Sequence, residues 1–249
     1  MEIVLLTALG VGVATLIGAV IGFLVGNISH KVSDMILGFA AGIMLAAAMM
    51  GLIIPSVEKG NVFITIIGIL CGAVVLHLID LFTPHQHLPT SQLEEGENQN
   101  KKTTSKVMLF VLAIAIHNFP EGIAAGVGFG SGNTIDALTI AGGIALQNIP
   151  EGMVIIAPMV AAGISKKKAL LIAGLTGLVE VIGTLIGYFA VSISIVVLPF
   201  ALAFAGGTML YIISDEMIPE THAHGNERGS TYALLIGFCI MLMLDVLIG

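Results

Sequence analysis

Charged residues are scarce in this 249-residue chain, at 10% of the total, and the mean hydropathy is +1.05. A soluble globular domain carries roughly a quarter of its residues as charges, so the composition excludes that class. Hydrophobic residues make up 57% of the chain instead. We therefore predict an integral membrane protein.

Trp is absent, and there are only two Cys and nine Lys and Arg residues. Without Trp, the aromatic belt at the membrane surfaces is thin. Cys71 and Cys239 both fall in apolar segments, where small apolar filler is favoured over a disulfide or a thiolate ligand. The net charge of −7 argues against a nucleic-acid partner.

Eight apolar windows are each about 20 residues long, the length that a helix needs to cross a hydrocarbon core of about 30 Å. They lie at 3–25, 33–54, 62–82, 107–129, 137–161, 169–189, 195–214 and 230–248. The first window follows Met1 and Glu2 without the basic leader of a secretory signal, so it is expected to be a permanent helix. The prediction is one transmembrane domain over 1–249 with eight helical spans.

Basic residues are distributed unequally between the two sides of this topology. With both termini outside, eight of the nine Lys and Arg residues fall in cytoplasmic loops and only Lys59 falls outside. Cytoplasmic loops are enriched in Lys and Arg, so both termini are predicted to face outward.

Residues 83–106 form the one long polar stretch and are expected to be a cytoplasmic loop. His85 and His87 in this loop could contact metal, although a solvated loop is the simpler interpretation. His77 and Asp80, at the inner end of span three, leave interfacial capping and ion handling both open.

A short repeat relates span two to span seven. Residues 39–45 (FAAGIML) match residues 204–210 (FAGGTML) at five of seven positions. The two spans run in opposite directions in the predicted topology, so the repeat is inverted, as in many secondary transporters. The grouping that follows is three spans, a central pair and three spans (3+2+3).

The central pair carries two related strings at the same depth, HNFPEG at 117–122 and QNIPEG at 147–152. Ionisable groups inside an apolar span are costly and usually functional. Neither segment contains a Lys or Arg to neutralise the glutamates. A bound cation is therefore the expected counter-charge.

Helical geometry places the side chains of each string around its glutamate. Glu121 follows His117 by four residues and Asn118 by three, and Glu151 stands in the same relation to Gln147 and Asn148. Since each residue advances about 100° around a helix, each glutamate lies between its two partners. Two neighbouring metal positions that share Glu121 and Glu151 are predicted.

Pro120 and Pro150 each remove a backbone N–H and clash with the carbonyl four residues earlier. We expect the helices to be broken there, as is tolerated beside a polar site. Glu180, in the middle of span six, is either a further ligand or a protonated core acid. Imidazole, amide and carboxylate donors without thiolate suit zinc, iron, manganese or cadmium.

At these residues the chain resembles the bacterial branch of the ZIP (Zrt/Irt-like protein) family of metal transporters. The resemblance covers essentially the whole chain and implies a 3+2+3 helix arrangement, uptake of divalent metal into the cytoplasm and a cell-membrane location. It implies one metal position made of His117, Glu121, Gln147 and Glu151. It implies a second made of Asn118, Glu121, Asn148, Glu151 and Glu180.

The resemblance also makes Asp215 and Glu216 candidates for the exit path at the cytoplasmic end of span seven. Gln147 stands where many eukaryotic members have His, and Asn148 stands where some relatives have Asp. Neutral amides are weaker ligands, which predicts a broad metal range. No resident cofactor is implied.

The leading hypothesis is a transporter of divalent metal ions, with zinc ahead of iron, manganese and cadmium, and not an enzyme. An intramembrane metal-dependent hydrolase is the alternative, although no H-E-x-x-H string is present. A channel with the same site is the third. The expected partners are divalent metal ions and the lipid bilayer, with a second copy of the chain as a candidate.

Overall fold

The computed structural model describes residues 1–26, 28–82, 99–129, 134–193 and 195–248, and every regular element within these ranges is helical. The α-helices are α1 (Glu2–Val25), α2 (His30–Ala46), α3 (Ile54–Lys59), α4 (Val62–Phe82), α5 (Gln99–Gly128), α6 (Thr134–Ala161), α7 (Lys166–Ile193), α8 (Leu198–Ile212), α9 (Ile218–Thr221) and α10 (Glu227–Ile248). Two π-helical segments, π1 (Ala47–Ile53) and π2 (Ile213–Met217), join α2 to α3 and α8 to α9. The all-α fold class is confirmed.

Seven helical stretches among the described residues are long and apolar enough to cross a membrane. They are Glu2–Val25, His30–Lys59, Val62–Ile79, Thr134–Val160, Lys166–Ser192, Leu198–Thr221 and Glu227–Leu247. Each overlaps one span predicted from the sequence. The remaining predicted span, 107–129, corresponds to α5, a helix of 30 residues. The protein is an integral membrane protein built from long helices.

The C-terminal part of the polar loop predicted at 83–106 is helical instead. Residues 99–106 belong to the first turns of α5. They contain Lys, Thr, Ser, Gln and Asn but neither Gly nor Pro, and polarity alone does not stop a helix. Residues 83–98, with His85 and His87, lie outside the described residues.

Apolar side chains occupy both the interior and the outer surface. The main core cluster joins α2, α6 and α8 through side chains such as Met44, Ile144 and Leu202. Large apolar side chains such as Phe63 on α4 and Leu247 on α10 are exposed on the outside. In a bilayer these outer faces contact lipid, so polar side chains within the spans belong inside the bundle.

Glycines bring selected helix pairs into backbone contact. A Cβ on Gly122 of α5 would collide with the carbonyl group of Glu180 on α7, and one on Gly152 of α6 would collide with that of Thr15 on α1. Small residues permit such close approach in membrane helices. The two helices with the E-G strings are therefore each held against one neighbouring helix.

These contacts repeat with constant spacing along the chain. Gly18 of α1 lies against Ile149 of α6, and Gly183 of α7 lies against Phe119 of α5. Gly18 and Gly183 are 165 residues apart in the sequence, and Phe119 and Ile149 are 30 residues apart. Likewise, the contacts Gly42–Leu234 (α2 with α10) and Gly207–Ile69 (α8 with α4) are related by the same 165-residue shift. The whole helix arrangement thus has an internal repeat.

The direction of α1 and α7 shows that the repeat is inverted. Gly12 lies against Gly177, and Leu16 lies nearest to Gly174. Residue numbers rise along α1 as they fall along α7, so the two helices are antiparallel. Because these helices are equivalent members of the two units, the units have opposite orientations, as predicted from residues 39–45 and 204–210.

Candidate metal-binding site

The two strings lie within α5 and α6, and both helices continue through their prolines. Pro120 is internal to Gln99–Gly128, and Pro150 is internal to Thr134–Ala161. The expectation of broken helices was therefore wrong. Proline is tolerated inside membrane helices where a neighbouring helix packs closely, as α7 does on α5 and α1 does on α6.

The polar side chains of the strings are almost completely inaccessible. Asn118, Glu121, Gln147 and Asn148 are at most 1% exposed, and Glu180 on α7 is 0% exposed. Glu151 is slightly more open, at 9%. All of them lie inside the bundle, where desolvating an ionised or polar group is costly unless a partner compensates.

Much of this cluster lacks hydrogen-bond partners. Eight buried side-chain nitrogen or oxygen atoms in the described part of the chain have none. Seven belong to the strings: both amide atoms of Asn118 and of Gln147, both carboxyl oxygens of Glu121, and Oδ1 of Asn148. A concentration of unsatisfied donors and acceptors at one place calls for a partner such as water or an ion, and an ion suits carboxylate and amide oxygens.

Glu180 is the best connected acid of the cluster. Its Oε2 accepts a hydrogen bond of 2.7 Å from Nδ2 of Asn148, and its Oε1 accepts one of 3.1 Å from the Thr15 hydroxyl. Nδ2 of Asn148 also lies 3.3 Å from the carbonyl oxygen of Val11. Residues of three helices, α1, α6 and α7, thus meet at Glu180.

His117 faces in a different direction from the rest of its string. Its Nε2 lies 2.7 Å from Oε1 of Glu216 in π2, and both side chains are 12% exposed. Asp215, the other acid predicted at this end of span seven, is exposed and does not make this contact. The structure therefore separates the two candidates and links Glu216 directly to the α5 string.

The acids of the cluster are close enough to influence one another. Electrostatic interactions link Glu151 to Glu121, Glu180 and His117. That Glu121 and Glu151 share a bound ion stays a prediction. A cation between them would relieve repulsion that is strong at low dielectric constant.

The side chains have not converged on a single point. In the described residues, no group of three or more His, Cys, Asp and Glu side chains is arranged to hold a metal ion. Glu180 is turned towards Thr15 and Asn148, and His117 is turned towards Glu216. Glu180 and His117 thus each contact a residue outside the predicted ligand sets.

Sequence reasoning missed α1 as a wall of this cluster. Thr15 is buried and contacts Glu180, yet a single Thr in an apolar span gives no local signal. The repeat contained a signal for it. Residues 39–45 and 204–210 are related by a shift of 165 residues, and the same shift relates Thr15 to Glu180. Applying that shift along the chain would have identified it.

A buried cluster of carboxylates and amides inside a helical membrane bundle defines a membrane protein that handles cations. The profile of the family described as ZIP Zinc transporter matches residues 81–245. The zinc transporter GufA of Myxococcus xanthus is 38% identical over 254 residues, which cover 98% of each chain. The chain belongs to the ZIP zinc transporter family.

Other relatives are similar over nearly the whole chain. The zinc transporter ZIPB of Bordetella bronchiseptica is 35% identical, over 95% of this chain and 78% of that protein. The zinc transporter ZIP11 of Homo sapiens is 30% identical, over 94% of each. ZIP proteins are transporters and not enzymes, so the intramembrane hydrolase alternative has no support.

Proposed function

We propose that this protein moves divalent metal ions, zinc foremost, across the cell membrane into the cytoplasm through a two-position site between α5, α6 and α7. The observation that carries the proposal is the set of seven unpartnered buried polar atoms on the two strings. Relatives named as zinc transporters support the choice of cargo.

The two positions share Glu121 and Glu151. The first adds His117 and Gln147, and the second adds Asn118, Asn148 and Glu180; the buried cluster supports both sets. Since the proposed ligands all come from one chain, each chain contains a complete site. A second copy would pair through apolar outer faces such as that of α10.

The donor set favours a range of metals over a single one. Nitrogen and oxygen donors without thiolate suit zinc, iron, manganese and cadmium, and neutral amides discriminate among them only weakly. His117 and Glu216, 2.7 Å apart, connect the first position to π2. We infer that the ion leaves the site through this pair towards the cytoplasm.

Uptake into vesicles that contain only this protein tests the function. Zn²⁺ uptake should exceed that of protein-free vesicles and should saturate as the metal concentration rises, as expected of a carrier. Uptake that rises linearly would favour a channel. Uptake no greater than in protein-free vesicles for Zn²⁺, Fe²⁺, Mn²⁺ and Cd²⁺ would refute divalent metal transport.

The proposed topology has eight spans in a 3+2+3 arrangement with both termini outside, because that orientation puts eight of nine basic residues in the cytoplasm. Single cysteines at Ser91 and Ser165, in a chain without Cys71 and Cys239, should resist an impermeant thiol reagent in intact cells. A cysteine at Lys59 should react. Labelling of Ser91 and Ser165 cysteines with protection at Lys59 would reverse the topology.

A further inference from the structure

Thr15 places a hydroxyl group at the second metal position without belonging to its ligand set. Its side chain is 1% exposed and donates to Oε1 of Glu180 at 3.1 Å, while Asn148 donates to Oε2 at 2.7 Å. Each oxygen of Glu180 is therefore held by a different helix. This carboxyl group is oriented, whereas both oxygens of Glu121 have no partner.

α1 contributes a second contact on the same face. The carbonyl oxygen of Val11 lies 3.3 Å from Nδ2 of Asn148. Val11 and Thr15 are four residues apart, so they lie one above the other on one side of the helix. Through these two groups α1 holds the Asn148–Glu180 pair from one side and leaves Oδ1 of Asn148 without a hydrogen-bond partner.

The internal repeat explains why a hydroxyl group is found here. Thr15 and Glu180 occupy the same position in the two inverted units, 165 residues apart, and the Gly12–Gly177 contact holds their helices together. Two acids at these positions would repel each other at low dielectric constant. A hydroxyl group can donate to the remaining acid instead.

We propose that Thr15 is a positioning residue that holds Glu180 as a one-oxygen ligand of the second metal position. The Thr15 hydroxyl keeps its hydrogen bond to Oε1 of Glu180. Oε2 of Glu180 becomes available to the ion when the Asn148 amide rotates and directs its Oδ1 towards the ion. The inference rests on the proposed function. Partners that orient a ligand typically change metal affinity by about 10–100-fold when removed.

Thr15→Val tests this role, because valine keeps the branched shape and removes only the hydroxyl group. Thr184→Val is the matched control: Thr184 is also buried and also bonds to Glu180, but to its backbone oxygen at 2.9 Å. Thr15→Ser should restore the hydroxyl group. Glu180→Gln is the reference variant for a lost second position. Its bound metal should fall from about two ions per chain towards one.

Zinc titration of the purified proteins, with metal content measured by mass spectrometry, gives the two affinities separately. Thr15→Val should weaken the second ion by about 10-fold or more and leave the first unchanged. Thr184→Val should bind both ions as the wild type does, and Thr15→Ser should bind the second more tightly than Thr15→Val. If the valine variant does not fold, Thr15→Ala carries the same expectation.

Three results would overturn the inference. Unchanged second-ion affinity in Thr15→Val would make Thr15 a packing residue only. An equal loss of second-ion affinity in Thr15→Val and Thr184→Val would indicate a general disturbance of the structure around Glu180. Two ions retained in Glu180→Gln would remove Glu180 as a ligand. Wild-type protein that transports no metal would instead refute the proposed function, and the inference with it.

Discussion

Glu121→Gln is expected to abolish metal uptake while leaving the protein at least as stable as the wild type. Glu121 is shared by both proposed positions, so its loss weakens each of them. Removing a partner that only orients a ligand costs up to about 100-fold in affinity, and removing a shared carboxylate ligand should cost more. Uptake at limiting zinc should fall to the level of protein-free vesicles.

The expected stability follows from the surroundings of Glu121. Its carboxyl group is 1% exposed and neither oxygen has a hydrogen-bond partner. Glutamine has nearly the same shape and cannot ionise, so the substitution removes the possibility of a buried charge. A gain in stability with a loss of activity is the pattern expected at a functional site.

Glu227→Gln is the matched control for uptake and stability, because Glu227 is an exposed acid in the first turn of α10. It should transport normally. Thermal unfolding can be followed by circular dichroism, since the chain has no Trp for fluorescence. Near-normal uptake by folded Glu121→Gln protein would exclude this site from the transport pathway.

Gly122→Ala is expected to destabilise the protein strongly, although alanine is the better helix former. The three atoms nearest to the added Cβ all belong to the backbone of Glu180, with its C and Cα atoms at 2.9 Å. A backbone cannot rotate away as a side chain can, so α5 and α7 must separate. Overpacking typically costs about 1–3 kcal/mol.

The same substitution should also impair uptake. α5 carries Glu121 and α7 carries Glu180, so a shift between the two helices moves ligands of the second position apart. Misplacement of about 1 Å can have large functional effects. Uptake per folded molecule should therefore fall together with the melting temperature.

Gly142→Ala serves as the control within α6. Apart from its chain neighbours and the nearby backbone of α6 itself, no atom of the described residues lies within 4 Å of a Cβ at Gly142. Alanine there should be neutral or stabilising by about 0.5–1 kcal/mol. A Gly122→Ala protein with the melting temperature of the wild type would show that the contact between α5 and α7 has room for a methyl group.

The sequence alone was sufficient for the membrane class and for the spacing of polar residues along one helix, but not for the partners of their side chains. Composition required a bilayer because so few charges cannot make a soluble surface. The relation of Glu121 to His117 and Asn118 depends only on the fixed rotation per residue of a helix. Five matches over seven positions in spans two and seven, together with the predicted topology, were enough to predict the inverted repeat.

Only the tertiary structure decided which helices meet at the site. The contact between Thr15 and Glu180 spans 165 residues and that between His117 and Glu216 spans 99. Both depend on how closely whole helices approach, as does the continuity of α5 and α6 through their prolines. Local spacing is a property of one helix, whereas glycine-mediated approach depends on the surfaces of two helices packed against each other.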